Sequence, residues 1–403
     1  MPIKTIEQRY LQLAFAIDRH QPGYVDAYYG PAEWRHEVEV GPLRPVAELV
    51  PEVEALIDAA AGDTAMAAQR RAFLLSQLRA METNLRLLAG ESLPLQQETE
   101  ALYGVSPAWM PEAVFEEAHR SLDELLPPGG SLNERMARRK QQTEVKVEAG
   151  SPLLEEIVAE LRRRTQARFP LPAGESFEIA FVQDEPWMAY NWYLGGYRSR
   201  IDINTGAPIH ITRLVDLIAH EAYPGHHTEL AIKEAELVNG NGWLEHTVAL
   251  INSPACVISE GIATRALSIL MSEAELIEWN GAELFPRAGL AELDAAREQA
   301  IEAARLKLDS VPGNAAFLLF DQKADEAEVV AYIERYGLGT EQEARRTLKF
   351  LRYARSYVFT YDYGGRLLDA LFARKGEREA WFSRLLREAI TPEQVRDYIG
   401  AGV

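Results

Sequence analysis

The chain has 403 residues, 47% of them hydrophobic, enough for a large core in one big domain or two intimate ones. Its 61 acidic and 42 basic residues leave a formal charge of −19, which makes nucleic acid and anionic membrane surfaces poor partners. A single cysteine, Cys256, excludes internal disulfides and suits a reducing compartment.

The first apolar run, around Tyr10, Leu11, Leu13 and Ala14, is amphipathic, and Asp18 and Arg19 interrupt it too early for a signal peptide. No run approaches the ~20 apolar residues of a membrane helix, so the expected location is cytoplasmic. Residues 20–31, rich in Gly, Pro and Tyr, read as an ordered loop. Helical periodicity then predicts helices at 46–61, 64–91, 108–126, 131–148 and 152–168, with Ser131 and Glu134 forming a capping box. There is no internal repeat.

The pattern changes after Pro170-Leu-Pro-Ala-Gly174. Residues 177–182, 190–194 and 199–204 are rich in strand formers, and Gly195-Gly196 forms a turn between the last two. A small antiparallel sheet is expected here, leading into the segment Leu214–Glu229 and suited either to capping a helical core or to pairing with extended substrate.

That segment holds three of the chain's eight histidines. Leu214, Leu217 and Ile218 recur at helical spacing, so His220-Glu221 closes a helix packed on a core. A zinc hydrolase of the His-Glu-x-x-His type begins this way: two histidines hold the metal and the glutamate takes a proton from water. Here Pro224 stands where the second histidine belongs, and proline ends or kinks a helix. In an unbroken helix neither His226 nor His227 shares a metal with His220; a break at Pro224-Gly225 could swing His226 into place. Spacing alone leaves a surface turn as the alternative and does not choose between the two histidines.

Residues 254–272 are almost wholly apolar, so Glu260 within them must be paired, protonated or metal-bound. It is the best candidate for a third ligand. Residues 285–399 read as long amphipathic helices containing Arg352, Tyr353, Arg355, Tyr357, Tyr361 and Tyr363. The phenol of Tyr361 or Tyr363, with His227 or His246, could stabilise an oxyanion, and Arg352 or Arg355 could hold a substrate carboxylate. Cys256, in an apolar helix, is a poor nucleophile.

His220-Glu-Ala-Tyr-Pro-Gly-His-His227 resembles the signature of the bacterial "domain of unknown function 885" family. Pro22–Pro31, Ser259–Ala263 and the Arg352–Gly364 region extend the resemblance over most of the chain. That family is zincin-like, similar in architecture to thimet oligopeptidase and carboxypeptidase Taq. The resemblance implies a mainly α, multi-helix fold with a central cleft and a small antiparallel sheet beside the metal helix. It implies one catalytic domain over 1–403, with a helical region over 1–170, a sheet and metal helices over 171–275, and a second helical region over 276–403. It implies one Zn2+ per chain on His220, His226 and Glu260, with Glu221 as base; the residues themselves suggest Tyr361 and His227 to assist, and Arg352, Arg355 and Tyr363 to bind substrate. The expected activity is hydrolysis of peptide or other amide bonds, on short peptides. The alternative is a non-catalytic helical binding or scaffold protein with a degenerate or absent metal site.

Overall fold

The computed structural model describes residues 4–148, 150–185 and 187–400. The fold is mainly α, with 67% of residues in helices and 8% in strands. Among the described residues the seven strands are β1 (Val25–Tyr28), β2 (Glu144–Val145), β3 (Ser176–Val182), β4 (Ala189–Gly195), β5 (Arg198–Asn204), β6 (Ile209–His210) and β7 (Val248–Leu250). They form two antiparallel pairs, β1 with β7 and β2 with β6, and a three-stranded sheet in the order β3-β5-β4. In that sheet the β4–β5 hairpin is antiparallel, as its glycine turn requires, while β3 joins β5 in parallel. β5 is therefore central, and its residues Ile201 and Ile203 are fully buried.

Several helices run as their periodicity predicts, including Val46–Gly62 and Pro152–Arg168. The helix expected to reach residue 148 stops at Thr143 instead. There Glu144 and Val145 pair with His210 and Ile209, and this long-range ladder outcompetes local helical preference. Ser131 and Glu134 do form the expected capping box.

The largest core cluster joins Ile211, Leu214, Val215, Ile218 and Ala219 to Val257, Ile258, Ile262 and Ala266, and to Leu367, Leu368 and Leu371. The first five stand at i, i+3, i+4, i+7 and i+8, so one stripe of helix Ile211–Glu221 is buried and carries His220-Glu221 inward at its end. Helix Pro254–Leu270 is buried on most sides and crosses helix Phe359–Lys375 closely. At that crossing Gly261 faces Gly364: a Cβ on Gly364 would lie 2.4 Å from the Val257 carbonyl oxygen, and one on Gly261 2.7 Å from that of Gly364. Two absent side chains thus set how near Glu260 comes to the tyrosine-bearing C-terminal region. No single helix among the described residues is long and apolar enough to cross a membrane.

Candidate metal centre

Helix Ile211–Glu221 ends at Ala222, and a second helix begins at His226 and runs to Lys233. The Tyr223–Pro224 peptide between them is cis. Gly225 folds the break tightly: its N–H donates to the Ala219 carbonyl at 2.9 Å. A Cβ at Gly225 would sit 1.8 Å from the carbonyl oxygen of His220, so no other residue fits there. The break brings the His226 ring to 4.8 Å from that of His220, nearly perpendicular to it.

Glu260 completes the cluster. Its Oε2 lies 3.5 Å from His220 Nε2 and 4.0 Å from His226 Nε2, and one ligand atom from each of the three residues falls within 4.8 Å of the others. Glu260 is 5% exposed, and while Tyr357 donates to its Oε1 at 2.8 Å, its buried Oε2 takes no hydrogen bond. A buried, unsatisfied carboxylate oxygen is costly unless something cationic meets it. The donor set, two imidazoles and a carboxylate, matches zinc sites that keep a position open. The residues present fit the ion.

The hydrogen bonds behind His226 fix its tautomer. Ser259 donates its hydroxyl to Glu229 at 2.6 Å, and Glu229 also accepts from Lys233 at 2.5 Å. Ser259 Oγ can then only accept from His226 Nδ1, 3.1 Å away, so Nδ1 carries the proton and Nε2 turns a lone pair toward Glu260. Burial holds His226 at about 4, and burial followed by the neighbouring His226 holds His220 well below the ordinary histidine value. Both rings are neutral near pH 7, the state in which imidazole binds metals.

Glu221 is 6% exposed, and its carboxylate makes no hydrogen bond among the described residues. Its backbone carbonyl is pinned by Asn191 of β4 at 2.8 Å. Burial, then the charges of Glu260 and Asp26, push Glu221 up to about 8; burial foremost does the same to Glu260. A cation in the cluster reverses that logic and favours both carboxylates. Tyr361 meets Tyr357 edge-on at 5.7 Å. The residue is 38% exposed, yet burial of its hydroxyl end, then Glu260 and Glu221, raises its phenol well above the ordinary tyrosine value. It stays a proton donor at neutral pH.

Five expected site residues are placed elsewhere. His227 is fully buried, its Nε2 2.9 Å from Glu175 and its Nδ1 2.9 Å from Ser199. One residue beyond His226 on a helix, it points about 100° away and braces the sheet instead. Arg352 is exposed and paired with Glu326. Arg355 donates from Nε to both oxygens of Glu98, at 2.8 and 2.7 Å, and Ser356 donates to the same carboxylate at 2.7 Å. That anchor fixes the turn preceding Tyr357, and the Arg355 guanidinium is engaged by Glu98. The Tyr363 hydroxyl accepts from the Ala108 N–H at 2.7 Å. His246 is packed against Phe73 and Trp243. The Cys256 thiol donates to the carbonyls of Leu250 and Ile251, and burial, with Glu260, keeps it protonated.

Sequence reasoning missed Tyr357, Ser259, Glu229, Asp26 and Tyr190. Ser259 and Glu229 had a signal, lying one residue before a ligand and three after another. Tyr357 stood in the tyrosine-rich stretch without distinction. Asp26 and Tyr190 are joined by a hydrogen bond across 164 residues, which no local pattern reveals.

No family model matches the chain, and no curated protein does. Two solved structures share its fold. One is a protein provisionally named a lipoprotein, from Colwellia psychrerythraea: TM-score 0.50, 14% identity, covering 87% of this chain and 66% of that one. The other, provisionally named a lipoprotein of unknown function, is from Shewanella oneidensis: TM-score 0.50, 11% identity, covering 87% of this chain and 72% of that one. At such identity the likeness is one of fold alone.

Proposed function

We propose that the chain is a zinc-dependent hydrolase of peptide or other amide bonds, acting on short peptides. The observation that carries this reading is the unsatisfied Oε2 of buried Glu260, set between two neutral imidazoles whose Nε2 atoms face it. His220, His226 and Glu260 would hold the ion. Zinc supplies Lewis acidity, lowering the pKa of water and polarising a carbonyl.

The remaining chemistry belongs to the chain. Glu221 follows the first ligand, buried and without a hydrogen-bond partner, so its carboxylate is free to take a proton from the attacking water. It then delivers that proton to the leaving amine nitrogen. Tyr361 donates a hydrogen bond to the oxyanion that develops on the carbonyl. Tyr357 holds Glu260 in orientation, and the chain Ser259–Glu229–Lys233 does the same for His226.

Elemental analysis of protein purified without added metal or chelator, beside Glu260→Ala, tests the site. About one zinc per chain in the parent and its loss from the variant is the expected result, since a site of this kind needs three protein ligands. A parent chain that takes up no zinc even on incubation with it would overturn the proposal.

A further inference from the structure

Strand β1 carries an irregularity that the metal chemistry does not use. Val25 lies opposite Leu250 and Ala27 opposite Ala249, so Asp26 is an extra residue bulged out of the β1–β7 ladder. Bulges re-aim a side chain, and they recur beside active sites. Here the carboxylate lies beside the His-Glu helix: it bonds to Tyr190 of β4, whose neighbour Asn191 donates to the Glu221 carbonyl at 2.8 Å. Oδ1 accepts a hydrogen bond from Tyr190 of β4, and Oδ2 takes none from any described residue.

Tyr190 makes this more than an acidic spot. Its ring packs against Trp192 at 4.6 Å and Trp187 at 5.4 Å, so the aspartate sits at the end of an aromatic wall. Met188, Trp192 and Leu194 of the same strand face are exposed. Glu221, whose carbonyl Asn191 of the same strand holds, is nine-tenths buried and its carboxylate is unpartnered. No Lys or Arg side chain among the described residues bonds to Asp26, Glu221 or Glu260: Lys233 is engaged by Glu229, and Arg355 by Glu98. The expectation of a guanidinium holding a substrate carboxylate is therefore inverted. The surroundings of Asp26 offer anions and ring faces, which together recognise an ammonium group.

We propose that Asp26 anchors the free ammonium group of a peptide substrate, so that cleavage occurs close to an amino terminus and N-acylated peptides are poor substrates. This rests on the hydrolase reading above and gives it a substrate class. The aromatic strip along β4 would then receive the first side chain.

A binding experiment separates the two claims. The zinc-loaded full chain is titrated calorimetrically with L-leucine hydroxamate and with N-acetyl-L-leucine hydroxamate, in the parent and in Asp26→Asn. One charge-assisted hydrogen bond leads us to expect the free amine to bind at least ~10-fold more tightly to the parent. Asp26→Asn should abolish that preference while zinc content and the affinity for the acetylated ligand stay unchanged. Equal affinities in the parent would overturn the anchor and leave the hydrolase reading standing. A preference that survives Asp26→Asn would overturn the assignment to Asp26. Binding of neither ligand to a chain that holds zinc would remove an accessible metal, and both proposals with it. If Asp26→Asn does not fold, Asp26→Ser serves in its place: it too removes the carboxylate, and an undiminished preference there would equally overturn the anchor.

Discussion

His226 and His227 are adjacent in sequence and opposite in role. The first has a proton fixed on Nδ1 and a lone pair directed at Glu260; the second is sealed between Glu175 and Ser199. Glu175 also accepts from Tyr223 at 2.6 Å and from Arg162 at 2.6 and 2.9 Å, so removing His227 leaves a buried carboxylate with fewer donors. His227→Ala is expected to lower stability by about 2 kcal/mol in urea unfolding, as when a buried hydrogen-bonded partner is lost. Its zinc stoichiometry should remain that of the parent; a variant that lost zinc while keeping its stability would reverse the two roles. Spacing could narrow the second ligand to these two residues, and no further. The choice depends on the turn at Gly225, whose conformation is set by the His220 and Ala219 carbonyls packed against it. The arginines show the same limit from the other side. A guanidinium near tyrosines suggests a substrate clamp until its partner is known, and Glu98 lies 257 residues from Arg355.

Between elements, two contacts hold the helices of the His220, His226 and Glu260 cluster in place. One is the Gly261–Gly364 crossing. Gly364→Ala inserts a methyl group where the Val257 carbonyl oxygen is 2.4 Å away, so the helices must separate. Overpacking of this kind costs about 1–3 kcal/mol. Because Glu260 adjoins Gly261 and receives Tyr357's hydrogen bond across the same crossing, zinc affinity should fall along with the melting temperature. The other contact is buried and charged. Glu302 accepts from Arg139 at 2.7 Å, Arg305 at 2.8 Å and Thr212 at 3.0 Å, the last on the first turn of the His-Glu helix. Burial alone would raise Glu302, but Arg305 and Arg139 outweigh it and bring it down to about 2. An unfolded glutamate titrates near ~4.3, so this carboxylate stabilises the fold above that pH. The contribution is lost as pH falls from ~4.3 towards about 2. Melting temperatures between pH 6 and 3 should therefore drop more steeply in the parent than in Glu302→Gln, which starts lower. Parallel slopes would show that other groups govern acid unfolding. Helical stripes and glycines were readable in the sequence. Which glycine met which, and which arginine found Glu302, were not, because those are facts of tertiary approach.

For the whole molecule, the mainly α architecture was legible because most helices bury one regular stripe, as Ile211–Glu221 does. The bulge at Asp26 was not, since it exists only through pairing with a strand more than two hundred residues later. The likeness to the Colwellia and Shewanella proteins extends over 87% of the chain and is one of fold alone.

The broken helix at Pro224-Gly225 has a consequence for how the chain holds together. His220 and His226 remain a local pair in any conformation, whereas Glu260 joins them only when helix Pro254–Leu270 has docked. An ion bound by all three is therefore a removable staple between two segments, present in the native state and absent from the denatured one. At a free concentration 1,000 times its dissociation constant such an ion adds about 4 kcal/mol to the unfolding free energy. Treatment with a chelator should lower the melting temperature by several degrees, and the loss should be much smaller in Glu260→Ala, where the staple has one arm. If a chelator leaves the parent's melting temperature unchanged, nothing bridges the two segments.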